Sequence, residues 1–301
     1  MSKVWLITGS ASGLGRNIAE AVLAAGDRLL AAARDIRRLD DLVERYAAQI
    51  LPFELDVTDS KAAKAAVQAA VDQFGRLDVL VNNAGFGHML PFEQIEESDF
   101  RLEFETNFFG VVNLTRAAVP VMRQQGSGHI IQISSVGGRL ATLGMSAYQS
   151  AKWAVGGFSD VLAAEVKPLG IHVTTLEPGG MRTNWAVRAR GDDTRSWRPI
   201  NRTSVKCAAC FATSQATKTA IQSASRKLSS RLPSMHSRHC ACCWAAMHCS
   251  TWPRWKPVAP RPPNAGKRSA PRWTTTRRHP CPRYPKTDRS PVNVLMFDDV
   301  K

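Results

Sequence analysis

A tyrosine and a lysine four positions apart, Tyr148 and Lys152 in "YQSAK", form the first pair in this chain that could do chemistry. On a helix that spacing puts both side chains on one face. A phenol ionises near pH ~10 and is a poor acid or base at neutrality, but an adjacent ammonium stabilises the phenolate and lowers that value. Such a tyrosine can exchange a proton with a carbonyl or alcohol oxygen. Taken alone, the pair also fits a solvated helix face. A second candidate is "TGSASGLG", with Gly9, Gly13 and Gly15 in a turn. Glycines let a backbone approach a pyrophosphate closely, and the free N–H groups that open a helix bind it. A third is Arg34 in "AAARD", directly after Ala33. An acid at the end of the second strand accepts from a ribose 2′-hydroxyl, whereas an arginine accommodates a 2′-phosphate, which favours NADP over NAD. The alternative is that Arg34 is a solvated loop residue; Asp35 stands beside it.

These side chains need a frame. Six short apolar runs, "KVWLIT", "RLLAAA", "ILPFEL", "LDVLVN", "GHIIQIS" and "IHVTTLE", lack polar alternation and read as strands buried on both faces. Between them lie stretches of helical length: "LGRNIAEAVLAAG", "DSKAAKAAVQAAVDQFG", "SDFRLEFETNFFGVVNLTRAAVPVMRQQ" and "SAYQSAKWAVGGFSDVLAAEVKPLG". Repeated strand-helix units predict an α/β fold, a doubly wound parallel sheet with helices on both faces. The glycine turn then falls between the first strand and the first helix, the context that gives such a turn meaning.

Together, "TGSASGLG", "NNAG" at 82–85, Asn107, "ISS" at 133–135, "YQSAK" and "EPGGMRT" resemble the short-chain dehydrogenase/reductase family, in its order and spacing, over residues 1–205. The resemblance implies a Rossmann-type sheet and hydride transfer between a nicotinamide and a carbonyl/alcohol pair. It implies Tyr148 as general acid/base, Lys152 as the partner that binds the nicotinamide ribose and lowers the Tyr148 pKa, and Ser135 as a hydrogen-bond partner of the substrate oxygen. Asn107 would support a proton relay through a water near Lys152. Gly9, Ser12, Gly13, Leu14, Gly15 and Arg34 would hold the phosphates, Asp56 and Val57 would border the adenine, and Asn83, Ala84 and Gly85 would line the cofactor. Pro178, Gly179 and Thr183 would meet the nicotinamide side.

The last third departs from this pattern. Met1 to Val205 carries 22 Lys+Arg and 22 Asp+Glu, while residues 206–301 carry 18 basic residues against 3 acids, so the whole formal charge of +15 lies in the tail. All 7 cysteines and 11 of the 17 prolines are there too. Three readings compete. "RHCACCWAAMHC" at 238–249 crowds Cys and His, yet lacks the paired spacing of a zinc module, apart from Cys207 and Cys210; no metal site is expected. A disordered basic arm for nucleic acid would explain the charge but not the cysteines and tryptophans. A slipped reading frame near codon 205 explains both. Joining the third base of each codon to the next two turns the segment into a peptide compatible with "LRLLLGSDAL", which resembles the seventh strand and following turn of the family. Gln215–Gln222 likewise becomes compatible with "GNENGDP". On this reading the final strand and long C-terminal helix are lost, and the family's usual homo-oligomerisation does not carry over.

No run of 18 apolar residues and no secretion signal is seen, so neither secretion nor a membrane span is expected. The cysteine-free first part reads as cytoplasmic. The expected activity is NADP-dependent oxidoreduction of a small carbonyl or alcohol. The rivals are a catalytically impaired nucleotide-binding protein and one whose basic tail binds nucleic acid. The substrate is not legible, although His88, Met89, Trp185 and Trp197 are candidates for an apolar pocket, and Arg188 and Arg190 for an acidic substrate.

Overall fold

The computed structural model describes residues 2–181, 183–190 and 293–297. All six expected strands form: β1 (Val4–Thr8), β2 (Arg28–Ala33), β3 (Ile50–Glu54), β4 (Val79–Asn82), β5 (Gly128–Ile133) and β6 (Ile171–Pro178). Every pairing is parallel and the order is β3-β2-β1-β4-β5-β6, so β1 meets β4 where the winding reverses. Ligands of open α/β sheets bind at the carboxyl ends of strands flanking that point. Pro52, which cannot donate to a ladder, sits in edge strand β3.

The unbroken apolar character of the strands is explained by two cores. On one face Leu6, Leu30, Leu80 and Ile130 pack with Ala63, Val67 and Ala70 of α3 (Ser60–Phe74), Leu114, Ala118 and Met122 of α5 (Gly110–Gln125), and Leu162 and Val166 of α6 (Ser146–Val166). On the other, Trp5, Ile7, Leu29, Ala31, Val81 and Ile131 pack with Ile18, Val22 and Leu23 of α1 (Gly13–Ala24) and Leu42 of α2 (Asp40–Tyr46). Neighbouring strand residues face opposite ways, so both must be apolar.

One expectation is corrected. The single long helix over 98–125 is α4 (Glu97–Phe104) followed by a widened turn of π-helix over Glu105–Phe109 before α5. A further strand, β7 (Asn293–Phe297), lies parallel to β6, with Thr174 opposite Asn293 and Pro178 opposite Phe297; it is not the 238–249 segment whose shifted reading resembles the family's seventh strand, and that segment falls outside the described residues. An open sheet edge presents unpaired N–H and C=O groups, and an apolar run of this kind is suited to cover them wherever it lies in the chain. The long C-terminal helix, Trp197 and all seven cysteines fall outside the described residues. Among the described residues no helix is long and apolar enough to cross a membrane.

Candidate active site

The turn from β1 into α1 is built for close approach. Gly9 and Gly13 have φ of +69° and +59°, the left-handed region that favours glycine. A Cβ on Gly15 would lie 2.4 Å from the Gly9 carbonyl oxygen, so the helix starts directly against the turn. The N-cap residue Ser12 makes no side-chain cap bond, which leaves the first amides of the helix, those of Gly13, Leu14 and Gly15, unspent by it. The turn is tied to the end of β4: the Thr8 hydroxyl accepts from the amides of Asn83 and Ala84, both at 2.9 Å, and Asn83 Nδ2 donates to the Thr8 carbonyl at 2.8 Å.

At the end of β2, Arg34 is exposed. Asp35 does not hold it, because its carboxylate accepts from the Arg37 side chain at 2.9 Å, and that contact keeps it below the usual carboxylate range. Asp56 accepts from the Thr58 amide and hydroxyl at 2.9 and 2.8 Å, and Val57 packs against Gly110. Asn113 Nδ2 donates to the Val57 carbonyl at 3.0 Å and steadies this corner, a role with no signal in the sequence.

Across the switch point, Tyr148 and Lys152 project from α6, Ser135 follows β5, and Asn107 lies in the widened turn. A widened turn re-aims side chains at a cost in backbone geometry and is frequent at functional sites. Asn107 is buried, accepts from the Phe86 amide at 3.1 Å and donates to its carbonyl at 2.7 Å. A Cβ on Gly85 would stand 2.5 Å from Asn107 Oδ1 and 3.6 Å from Lys152 Nζ, so this glycine leaves room for both side chains. Lys152 is 4% exposed; its Nζ donates to the Ile133 carbonyl at 2.7 Å and stands 5.7 Å from the Tyr148 ring centre. The Ser135 hydroxyl accepts from the Gly137 amide at 3.0 Å.

The electrostatics differ from expectation. Burial pushes the Tyr148 hydroxyl up to about 12; a hydrogen bond with Ser135 opposes this and the charge of Glu103 adds to it. Burial lowers Lys152 to about 8. With the protein's own groups alone, Lys152 therefore does not pull the tyrosine down. Its ammonium is spent on a backbone carbonyl, and burial penalises both the phenolate and the ammonium.

One wall of the site is the loop after β4. A Cβ on Gly87 would be 2.9 Å from Tyr148 Cδ2 and 3.0 Å from Trp185 Cζ2. Trp185 opens α7 (Trp185–Arg190) and lies 4.9 Å from the Tyr148 ring, tilted 54°. Met89 is buried, and its amide donates to the Ala189 carbonyl at 2.7 Å. Thr183 reaches back to within 3.7 Å of where a Gly13 Cβ would be, at the glycine turn, and Pro178 ends β6 just before Gly179. Arg188 and Arg190 are exposed on α7. Glu103, fully buried behind His88, had no distinguishing mark beyond lying four residues before Asn107. A groove of about 670 Å³ lies between Phe92, Leu140, Leu143 and Trp153, but none of the residues expected from sequence lines it.

A family model described as short chain dehydrogenase matches residues 3–194. An oxidoreductase, BOA17, of Botryotinia fuckeliana (strain B05.10) is 51% identical over 187 residues, 62% of this chain and 68% of that one. The crystal structure of a short-chain dehydrogenase from Streptomyces avermitilis aligns with a TM-score of 0.59 at 47% identity, covering 61% of this chain and 68% of that. The structure of ElxO with NADP bound aligns at 0.58 and 32% identity, over 61% and 75%.

Proposed function

We propose, because the chain belongs to the short-chain dehydrogenase family, that it is an NADP-dependent oxidoreductase acting on a carbonyl/alcohol pair with Tyr148 as general acid and base. The observation that carries this reading is the convergence of Tyr148, Lys152, Ser135 and Asn107 opposite a glycine turn with free amides.

The residues fit a dinucleotide. Amides at Ser12 to Gly15 would take the pyrophosphate against Gly9, Asp56 and Val57 the adenine, and Asn83, Ala84 and Gly85 the middle of the cofactor. Lys152 would take the nicotinamide ribose, and Pro178, Gly179 and Thr183 the nicotinamide side. When bound, the nicotinamide supplies or accepts a hydride. The protein's part is the proton. A phenol raised to about 12 stays protonated at neutral pH, which suits donation to a carbonyl oxygen during reduction. Ser135 would hold that oxygen. Asn107, locked to Phe86, would lead to Lys152 and so to solvent.

NADP rather than NAD is supported by Arg34, exposed while its acidic neighbour is engaged by Arg37, and by the NADP-bound ElxO neighbour. The decisive experiment is nucleotide titration and turnover of the purified chain over a panel of simple ketones and aldehydes. Tyr148→Phe should lose turnover by about 10²-fold or more yet keep NADPH binding, and Arg34→Ala should weaken NADPH about tenfold while sparing NADH. Equal binding of NADH by the parent would overturn the NADP reading. Turnover that survives Tyr148→Phe would overturn the role of the tyrosine.

We further propose a cytoplasmic enzyme of residues 1–205 followed by an out-of-frame tail over 206–301 with no part in nucleic-acid binding, and no family-type oligomer built on the tail. The family match ends at residue 194, and the BOA17 relative leaves unmatched stretches in both chains. Resequencing codons 195–215 tests the frame: an added or missing base is the expected result, and an unaltered sequence would sink it.

A further inference from the structure

Glu103 and Asn107 stand one helical turn apart on the same buried face, and each clamps the loop after β4 with two hydrogen bonds. Asn107 holds Phe86. Glu103 Oε1 accepts from the His88 amide and lies against His88 Nδ1, both at 2.9 Å. The carboxylate is fully buried and, among the described residues, its second oxygen has no partner. A buried carboxylate half without bonds costs free energy. What the acid secures is its neighbour. His88 keeps 32% of its side chain open, packs edge-on against Phe86 at 5.5 Å, and directly follows Gly87, which abuts Tyr148 and Trp185. No bond to its other ring nitrogen is found among the described residues.

We propose that Glu103 is a positioning residue: acting through His88, it fixes the loop against Tyr148 and holds the imidazole proton on Nδ1, so that a bare Nε2 is offered to a hydroxyl of the bound substrate. Because Oε1 already accepts the His88 amide, a second donor is what it can accommodate, and the ring N–H supplies it. The hydrogen bond made by one ring nitrogen sets the state of the other. The clause on substrate rests on the proposed carbonyl/alcohol chemistry; the tautomer does not.

The test is long-range ¹H–¹⁵N NMR on the ¹⁵N-labelled full chain, with His88 assigned through His88→Asn. The expected spectrum has the proton on Nδ1, the reverse of the form favoured by histidine in water. Glu103→Gln, which keeps an acceptor oxygen, should retain it, and Glu103→Ala should lose it. A parent His88 protonated on Nε2 overturns the proposal without any variant needing to fold, as does an unchanged tautomer in Glu103→Ala. In turnover, Glu103→Ala should raise KM for a hydroxylated ketone about tenfold, with Glu103→Gln restoring most of it. A KM unmoved in Glu103→Ala overturns the substrate contact. A parent that shows the Nδ1 proton but turns over no carbonyl supports the positioning role while refuting the activity proposed above.

Discussion

Replacing Lys152 with methionine should stabilise the protein while removing its turnover, and the stabilisation should fade as pH rises. Burial holds the ammonium at about 8 against an ordinary 10.5, a gap equivalent to roughly 3 kcal/mol. The sign follows from proton uptake. Between those two values the unfolded chain binds the proton and the folded one releases it, so stability climbs with pH across that window. Below about 8 both states carry the charge and the folded state bears the whole penalty. Methionine keeps the length of the stem without the charge, but leaves the Ile133 carbonyl without its donor at 2.7 Å, a loss of about 1 kcal/mol. The net expectation near pH 7 is a gain of about 2 kcal/mol, falling to zero or slightly below by pH 10.5. Urea unfolding of the parent and Lys152→Met, without added nucleotide, at one-unit steps from pH 7 to 10 reads this directly. Groups common to both proteins cancel in the difference. A difference that does not change with pH, or a methionine variant that is the less stable at pH 7, would refute the claim that a desolvated charge sits at the centre of the site. Saturating NADPH should reverse the order, since it stabilises only the form it binds well.

Two other perturbations test the frame. His129 is lowered to about 4 by burial, with the charges of His172 and Lys3 adding, and its Nε2 lies 2.8 Å from the Thr174 hydroxyl. The unfolded chain takes the proton near 6.5, so stability should fall as pH drops from there toward 4, by about 2 kcal/mol after allowing for partial exposure. His129→Asn should flatten that limb in acid unfolding, and an unchanged limb would count against it. Gly15→Ala would place a Cβ 2.4 Å from the Gly9 carbonyl oxygen and should cost several kcal/mol and NADPH binding together. Gly26→Ala, with open space but a φ of +81°, should cost only about 1 kcal/mol and leave nucleotide affinity intact. Thermal melts with and without NADPH separate the two.

The six strands were legible because each is apolar on both faces, as a sheet covered on two sides demands. Most of the candidate site residues fall at strand ends and helix starts, where local spacing translates into position; Asn107, inside the widened turn, does not. What escaped lacked a local signature. The seven-residue helix α2 is too short for a clear period. The widened turn at Glu105–Phe109 occurs within a stretch whose composition is helical throughout. Glu103 and Glu105 look alike in sequence, yet one is buried and the other exposed; the buried one meets the His88 amide, 15 residues earlier. The direction of the Tyr148 shift depends on how much solvent α6 and its neighbours exclude, and i to i+4 spacing says nothing about that. The strand β7 lies far from any position the family pattern suggested.

The hydroxyl of Thr8 joins two amides that come 75 and 76 residues later. The proposed nucleotide cradle is thus no local motif that could take shape as the chain emerges from the ribosome; it exists only once β1 and β4 have found each other, a contact of long sequence separation and correspondingly slow to form. On the proposed reading, nucleotide would bind only after that contact has formed. The exchange of the Asn83 and Ala84 amide protons with solvent would then follow the opening of this whole half of the sheet rather than the fraying of a loop.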